Sequence, residues 1–192
     1  KRGITTLWLL MVALVMMAKS YTVTSPNGQL TAQVEVGTVI KYSLKDASQQ
    51  LVLPSAIALK TDRGTWGENS HLRRAVKTTH RGQIAAFAYK RNEVSDCYNQ
   101  LRLQFKEGFD LIFRLYDEGM AYRFASTLKS EVTINDEQAQ MRFARDWKAQ
   151  IPYVRDSGDR EDQLHNSFEN NYTHTALSQL MDTRLIFTPL IV

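Results

Sequence analysis

One cysteine, four prolines and four histidines among 192 residues remove several kinds of protein at once. A lone Cys97 forms no intrachain disulfide framework, and no Cys/His cluster at zinc spacing accompanies it. As a residue type it is more often a small buried hydrophobe than a nucleophile. The histidines His71, His80, His165 and His174 are scattered along the chain. There is no glycine-rich phosphate loop and no G-x-S-x-G elbow, so the two commonest nucleotide and acyl-transfer signatures are missing. Internal repeats, heptads and low-complexity tracts are missing as well. The one long apolar run, residues 7–17 (LWLLMVALVMM), has eleven residues. A membrane-spanning helix needs roughly 20, which argues against a stable membrane anchor.

What stands at the start is a secretory pattern. Lys1-Arg2 precedes the apolar run, and Ala18-Lys19-Ser20 offers small residues at the two positions that a signal peptidase reads. Residues 1–20 are therefore expected to be a signal peptide, with a periplasmic or secreted destination. No cysteine sits at the cleavage site to take a lipid. Removing those residues leaves 21 basic against 20 acidic side chains, a net charge of +1. The basic pI thus comes in part from the leader, and nucleic-acid binding loses its electrostatic footing.

The remainder, residues 21–192, reads as strands. Residues 21–24 alternate, and Ser25-Pro26-Asn27-Gly28 is a turn by composition. Residues 30–36 and 38–44 alternate on either side of Gly37, a hairpin signal. Residues 51–53 and 56–59, split by Pro54, predict further short strands, and residues 63–67 a glycine-rich loop. Residues 83–90 fit strand or helix, with neighbours that favour strand. The plainest pattern spans residues 99–126. Leu101, Leu103 and Phe105 share a face, as do Phe109, Leu111, Phe113 and Leu115, then Met120, Tyr122 and Phe124. Two glycine-containing turns separate the three runs, predicting an antiparallel meander with one buried face and with Asp110, Arg114 and Tyr116 opposite. Residues 131–135 and 140–143 add two candidate strands. Ten or more short strands and little helix signal predict an all-β antiparallel sandwich.

Between residues 144 and 166 the alternation stops, and the charge run 155–162 (RDSGDRED) reads as a solvated loop. Asp156, Asp159, Glu161 and Asp162 are hard-cation ligand types, but they lack the order and closing Glu of an EF-hand loop. Residues 166–180 (NSFENNYTHTALSQL) then place one acid, Glu169, among amides, hydroxyls and aromatics. Glycoside hydrolysis needs two carboxylates about 5–9.5 Å apart. Nothing in the spacing pairs Glu118 or Glu169 with a second acid, so no catalytic pair is assigned. The apolar run 185–192 (LIFTPLIV) predicts a strand without its partner, and the chain is read as a fragment of a longer protein.

Several stretches, in order, resemble glycoside hydrolase family 97. They are Ser25-Pro26-Asn27-Gly28-Gln29-Leu30, Thr65-Trp66-Gly67-Glu68-Asn69, Tyr98-Asn99-Gln100-Leu101 and Tyr116-Asp117-Glu118-Gly119-Met120-Ala121-Tyr122-Arg123-Phe124. Asn166-Ser167-Phe168-Glu169-Asn170-Asn171-Tyr172, Leu177-Ser178 and residues 185–192 complete the set. The resemblance implies an N-terminal β-super-sandwich of the galactose mutarotase-like kind, followed by a catalytic (β/α)8 barrel of the same chain. It implies hydrolysis of an α-linked oligosaccharide with Ca2+ in the active site. The barrel would hold the catalytic acid, and Glu169 would reach across as one calcium ligand. Residues 66–69 and 166–173 are more similar to the retaining α-galactosidase branch than to the inverting α-glucosidases. The alternative is a stand-alone carbohydrate-binding sandwich that stacks sugars on Trp66, Trp147, Tyr153 and Tyr172.

Overall fold

The computed structural model describes residues 18–87, 90–154, 170–181 and 183–192. Among them the regular structure is thirteen strands and one short 3₁₀ turn. The first sheet contains β1 (Lys19–Thr24), β2 (Thr31–Val36), β3 (Ile40–Lys45), β4 (Gln50–Thr61), β5 (Gly64–Trp66), β10 (Ile134–Ala139) and β11 (Arg142–Phe143). The second contains β6 (Leu72–Ala85), β7 (Glu93–Phe105), β8 (Phe109–Tyr116) and β9 (Gly119–Ser126) in sequential order. A separate ribbon pairs β12 (Lys148–Ile151) with β13 (Thr173–Ala176). Every named strand pair is antiparallel.

The period-2 pattern explains the packing. Ala32, Val34 and Val36 of β2, with Ile40 and Tyr42 of β3, turn toward Leu101, Leu103 and Phe105 of β7. Phe109, Leu111, Phe113 and Leu115 of β8 fill the middle of this core, all fully buried. Met120, Tyr122 and Phe124 pack on it from β9 as expected, though only partly buried. Two sheets closed over one apolar layer make the all-β sandwich that the alternation predicts.

The departures from expectation have local causes. Residues 50–61 form one strand, not two, because Pro54 falls at a bulge. Tyr42 pairs with Ser55 and Leu44 with Val52, leaving Leu53 and Pro54 opposite Ser43 alone. A proline tolerates such a site, where no ladder hydrogen bond is needed. The loop at 63–67 contains β5, whose Trp66 pairs with Leu59 and stacks on Phe109 at 5.0 Å. Gly67 has φ +102°, and a Cβ there would lie 2.6 Å from the Ile57 carbonyl oxygen, so only glycine fits. β6 begins well before residue 83; its edge position leaves it polar on both faces, which hides the alternation. Asp110 and Ile112 are buried although they lie on the face opposite the core. Arg102 covers the carboxylate, its Nε donating to Asp110 Oδ2 at 2.7 Å and its Nη2 completing the ion pair.

Three of the recognisable motifs tie the sheets together through two hydrogen bonds. The Asn27 backbone N–H in the first turn donates to Asp117 Oδ1 in the β8–β9 turn at 2.8 Å. Asn99 Nδ2 on β7 donates to the Thr24 carbonyl of β1, also at 2.8 Å. Inside the first turn, Ser25 Oγ accepts the Leu30 N–H and Asn27 Oδ1 accepts the Gln29 N–H, which fixes the reversal.

Two tests follow from the core. Leu111→Ala removes a fully buried side chain and is expected to cost about 2–5 kcal/mol in a denaturant melt; a loss under about 1 kcal/mol would contradict the packing. Burial, with Glu137 and Tyr42 nearby, pushes the Tyr122 phenol from 10.0 up to about 12. A raised folded value means that the contribution is complete below pH 10 and is lost as the pH climbs toward 12. Tyr122→Phe is expected to flatten that alkaline decline, and an unchanged profile would oppose this assignment.

Candidate functional site

Residues 173–181, which follow Glu169 in the chain, are held by a small second core separate from that of the main sandwich. β12 places Ala149 and Ile151 inward, where they meet Tyr153, with Leu177 and Ile186 packed against them. Only two apolar positions alternate in β12, too few to register as a strand in sequence, so the break in pattern predicted for 144–166 is corrected over 148–151. β13 answers in register, Ile151 opposite Thr173 and Lys148 opposite Ala176.

Hydrogen bonds then fix both flanks. Tyr153, 2% exposed, accepts the Met181 N–H at its hydroxyl at 3.0 Å. The Arg184 guanidinium lies 4.7 Å over the Tyr153 ring and donates from Nη2 to the Val154 carbonyl at 2.8 Å. Val154 N–H donates to Leu185 O, Phe187 N–H to Pro152 O and Gln150 N–H to Ile191 O. The predicted strand 185–192 is thus present as two isolated bridges, Ile186 to Tyr153 and Ile191 to Gln150, rather than a continuous ladder. Its partner is β12 and the residues after it.

The 3₁₀ turn Leu177–Gln179 follows β13 directly. Asp146 accepts both the backbone N–H of Ser178 at 2.8 Å and its hydroxyl at 2.7 Å. Those two hydrogen bonds hold the Asp146 carboxyl below its ordinary value of 3.8. Sequence reasoning missed this clamp, because an Asp and a Ser 32 residues apart carry no local signature.

The Ile151–Thr173 pair therefore brings together the two ends of the segment that contains Glu169. Glu169 itself, with Asp156, Asp159, Glu161, Asp162 and His165, lies outside the described residues. After it come Asn170 and Asn171, both exposed, and Tyr172, 41% exposed. Among the described residues no three His, Cys, Asp or Glu side chains come together as a metal cluster. His174 sits on β13 opposite Gln150, apart from the other described histidines. Cys97 is half-buried rather than buried, and takes a hydrogen bond from Ser95 Oγ at 3.3 Å.

The four aromatics proposed as a sugar platform separate. Trp66 and Tyr153 are 3% and 2% exposed, in the main and the second core, so neither offers a ring face to a ligand. Trp147 is half-buried, edge-on to Phe143 at 5.9 Å, and only Tyr172 is openly exposed.

Because its folded value is depressed, Asp146 contributes above the ordinary carboxylate range and loses its contribution as the pH falls through the folded value. The exchange protection of the Ser178 amide is expected to be full near neutrality and to fall only once the pH drops below the ordinary carboxylate range, and Asp146→Asn to weaken it at neutral pH. Protection that is indifferent to both changes would contradict the clamp.

Comparison with known proteins places this geometry. The family model described as "Glycosyl-hydrolase 97 N-terminal" matches residues 23–192. The retaining alpha-galactosidase of Bacteroides thetaiotaomicron is 36% identical over 177 residues, which is 91% of this chain and 27% of that protein. A family 97 glycoside hydrolase from Pseudoalteromonas sp. strain K8, solved in complex with acarbose, superposes with a TM-score of 0.69 at 18% identity, over 88% of this chain and 26% of that one. A beta-arabinopyranosidase superposes with a TM-score of 0.67 at 21% identity, over 80% and 26% of the two chains. These structures share the fold, and the chain spans about a quarter of the length of the relatives that it matches. The chain belongs to the N-terminal domain family of glycoside hydrolase family 97.

Proposed function

We propose that this domain is the N-terminal part of an exported, calcium-dependent α-galactosidase-like glycoside hydrolase. The observation that carries the reading is the 36% identity to a retaining alpha-galactosidase, sustained over 91% of the chain. In this reading a downstream (β/α)8 barrel of the same chain supplies the catalytic acid and nucleophile. The sandwich contributes a wall of the active site and one metal ligand, Glu169, and does not turn over substrate alone.

The donor chemistry of this chain suits a hard cation. Calcium takes six to eight oxygens at 2.3–2.6 Å, carboxylates and amide carbonyls among them. Residues 166–172 offer one carboxylate, Glu169, with the amides of Asn170 and Asn171 following it. One carboxylate is far short of a coordination shell, so the remaining ligands belong elsewhere in the protein. Calcium, when bound, supplies electrostatic stabilisation of charge on the reacting glycoside. The work of this chain is to present Glu169. Its segment leaves from Val154 and returns to Thr173, and the hydrogen bonds of Tyr153, Arg184 and Asp146 fix both points. Export fits the leader-like residues 1–20; cleavage after Ser20 would leave β1 its Tyr21–Thr24 portion paired with β2.

The test is Glu169→Gln in the full-length protein, which keeps the side-chain size and removes the charge. Calcium affinity by titration calorimetry is expected to fall on the order of 10–100-fold, as lost metal-site contacts commonly produce, with α-galactosidase activity falling alongside. Affinity and activity both unchanged would remove Glu169 from the metal site.

A further inference from the structure

The face of the second sheet that turns away from the core is dominated by one charge. Each of its four strands brings an arginine to that face: Arg74 on β6, Arg102 on β7, Arg114 on β8 and Arg123 on β9. The register makes each a diagonal neighbour of the next. Arg74 pairs with Gln104, two residues from Arg102. Ile112 pairs with both Arg102 and Arg123 and lies two residues from Arg114. Diagonal neighbours stand roughly 7–8 Å apart, within reach of long side chains, so the four arginines form a band across the sheet.

The strand residues of this face include two acids, Asp96 and Asp110, and both are engaged. Asp110 is buried under Arg102, and Asp96 Oδ2 lies 3.3 Å from His80 Nε2. Among the described residues, Arg74, Arg114 and Arg123 form no ion pair. Like charges set side by side on a sheet destabilise it. A chain with 20 acidic residues to balance its basic ones has nonetheless gathered its arginines here.

Arg114, in the middle of the band, is also held in place. Its guanidinium lies 4.2 Å over the Tyr98 ring, and its Nε donates to Gln100 Oε1 at 3.0 Å. His80 stacks on Tyr98 at 4.9 Å and Tyr116 packs against it at 5.3 Å, leaving that ring 8% exposed. With Nε engaged, the two terminal nitrogens remain, a fork that can take a carboxylate in two parallel hydrogen bonds.

We propose that this face binds an acidic polysaccharide, a glycan chain whose sugars carry carboxylates, with Arg114 as its central contact. The inference goes beyond the proposed hydrolysis and does not depend on it. Charge complementarity calls for a polyanion, and the rest of the face selects which kind. A protein interface has an apolar centre, and a lipid surface takes up apolar side chains. None of the exposed large hydrophobic residues lies on this face between Arg74 and His80 or beside them on β7, β8 and β9 as far as Tyr98 and Tyr116. Single-stranded nucleic acid needs open aromatic faces, and Tyr98 is covered. What surrounds the arginines is Thr78, Gln100 and His80, whose hydroxyl, amide and imidazole can exchange hydrogen bonds with sugar hydroxyls.

The experiment is affinity electrophoresis of the full-length protein through gels that contain polygalacturonate. Neutral galactomannan, duplex DNA and phosphatidylglycerol vesicles serve as comparison ligands. The wild type is expected to be retarded by polygalacturonate alone, and less so as the salt concentration rises. Arg74→Gln combined with Arg123→Gln changes two exposed positions and is expected to weaken the interaction on the order of tenfold, since an exposed ion pair contributes up to about a factor of five. Arg114→Gln is expected to weaken it at least as much. Lys41→Gln, which removes an exposed charge from β3 in the other sheet, is expected to match the wild type. No retardation by polygalacturonate would overturn the proposal, as would arginine variants that bind like the wild type. Equal retardation by galactomannan would remove the role of charge. Equal binding of DNA or vesicles would give the face to polyanions at large and overturn the assignment to a glycan.

Discussion

The structure depends first on closing two antiparallel sheets over a single apolar layer. Leu101, Leu103, Phe109, Leu111, Phe113 and Leu115 are fully buried against the faces of β2, β3 and β4. At about 1.5–3 kcal/mol for each large side chain removed from water, this layer outweighs any single polar contact in the domain. Apolar burial does not fix how the sheets slide, and the polar ties do. The Asn27–Asp117 and Asn99–Thr24 hydrogen bonds join turn to turn and strand to strand across the sandwich. Much of the family resemblance at residues 25–30, 98–101 and 116–124 is therefore the chemistry of sheet registration.

A second level is built on the first. The Ala149–Ile151–Tyr153 cluster is small, and few apolar contacts hold it. Directional interactions take over there: the Tyr153 hydroxyl, the Arg184 guanidinium over its ring, and the Asp146 carboxylate on Ser178. This division suits the proposed role. A large core makes a rigid base, and a small hydrogen-bonded cluster sets the two ends of one segment at a fixed place beside it. In the proposed role, a ligand held this way would report on whether the neighbouring domain is in position, coupling docking to metal binding.

The fold was legible in the chain wherever one strand face is buried and the other is wet. The meander of residues 99–126 and the strands at 30–44 follow directly from period-2 alternation. Legibility failed where that contrast vanishes. β6 is polar on both faces because it is an edge, and β12 is too short to show a period. Pro54 split a strand on paper that a bulge keeps whole. The aromatic platform failed for a related reason: composition does not distinguish Trp66 in a core from Trp147 at a groove, since both rings are apolar and only packing separates them. Long-range clamps such as Asp146–Ser178 left no trace in local sequence at all.

The account stands on this sandwich being one part of a longer enzyme, and the most direct measurement is the intact mass of the native protein as the cell produces it. Relatives of which this chain spans 26% to 27% imply a mass near four times its 22.0 kDa. Such a mass, with hydrolysis of an α-galactoside that a calcium chelator abolishes, is the predicted result. A native mass slightly below 22.0 kDa would contradict it, leaving a sandwich with no catalytic partner in its own chain.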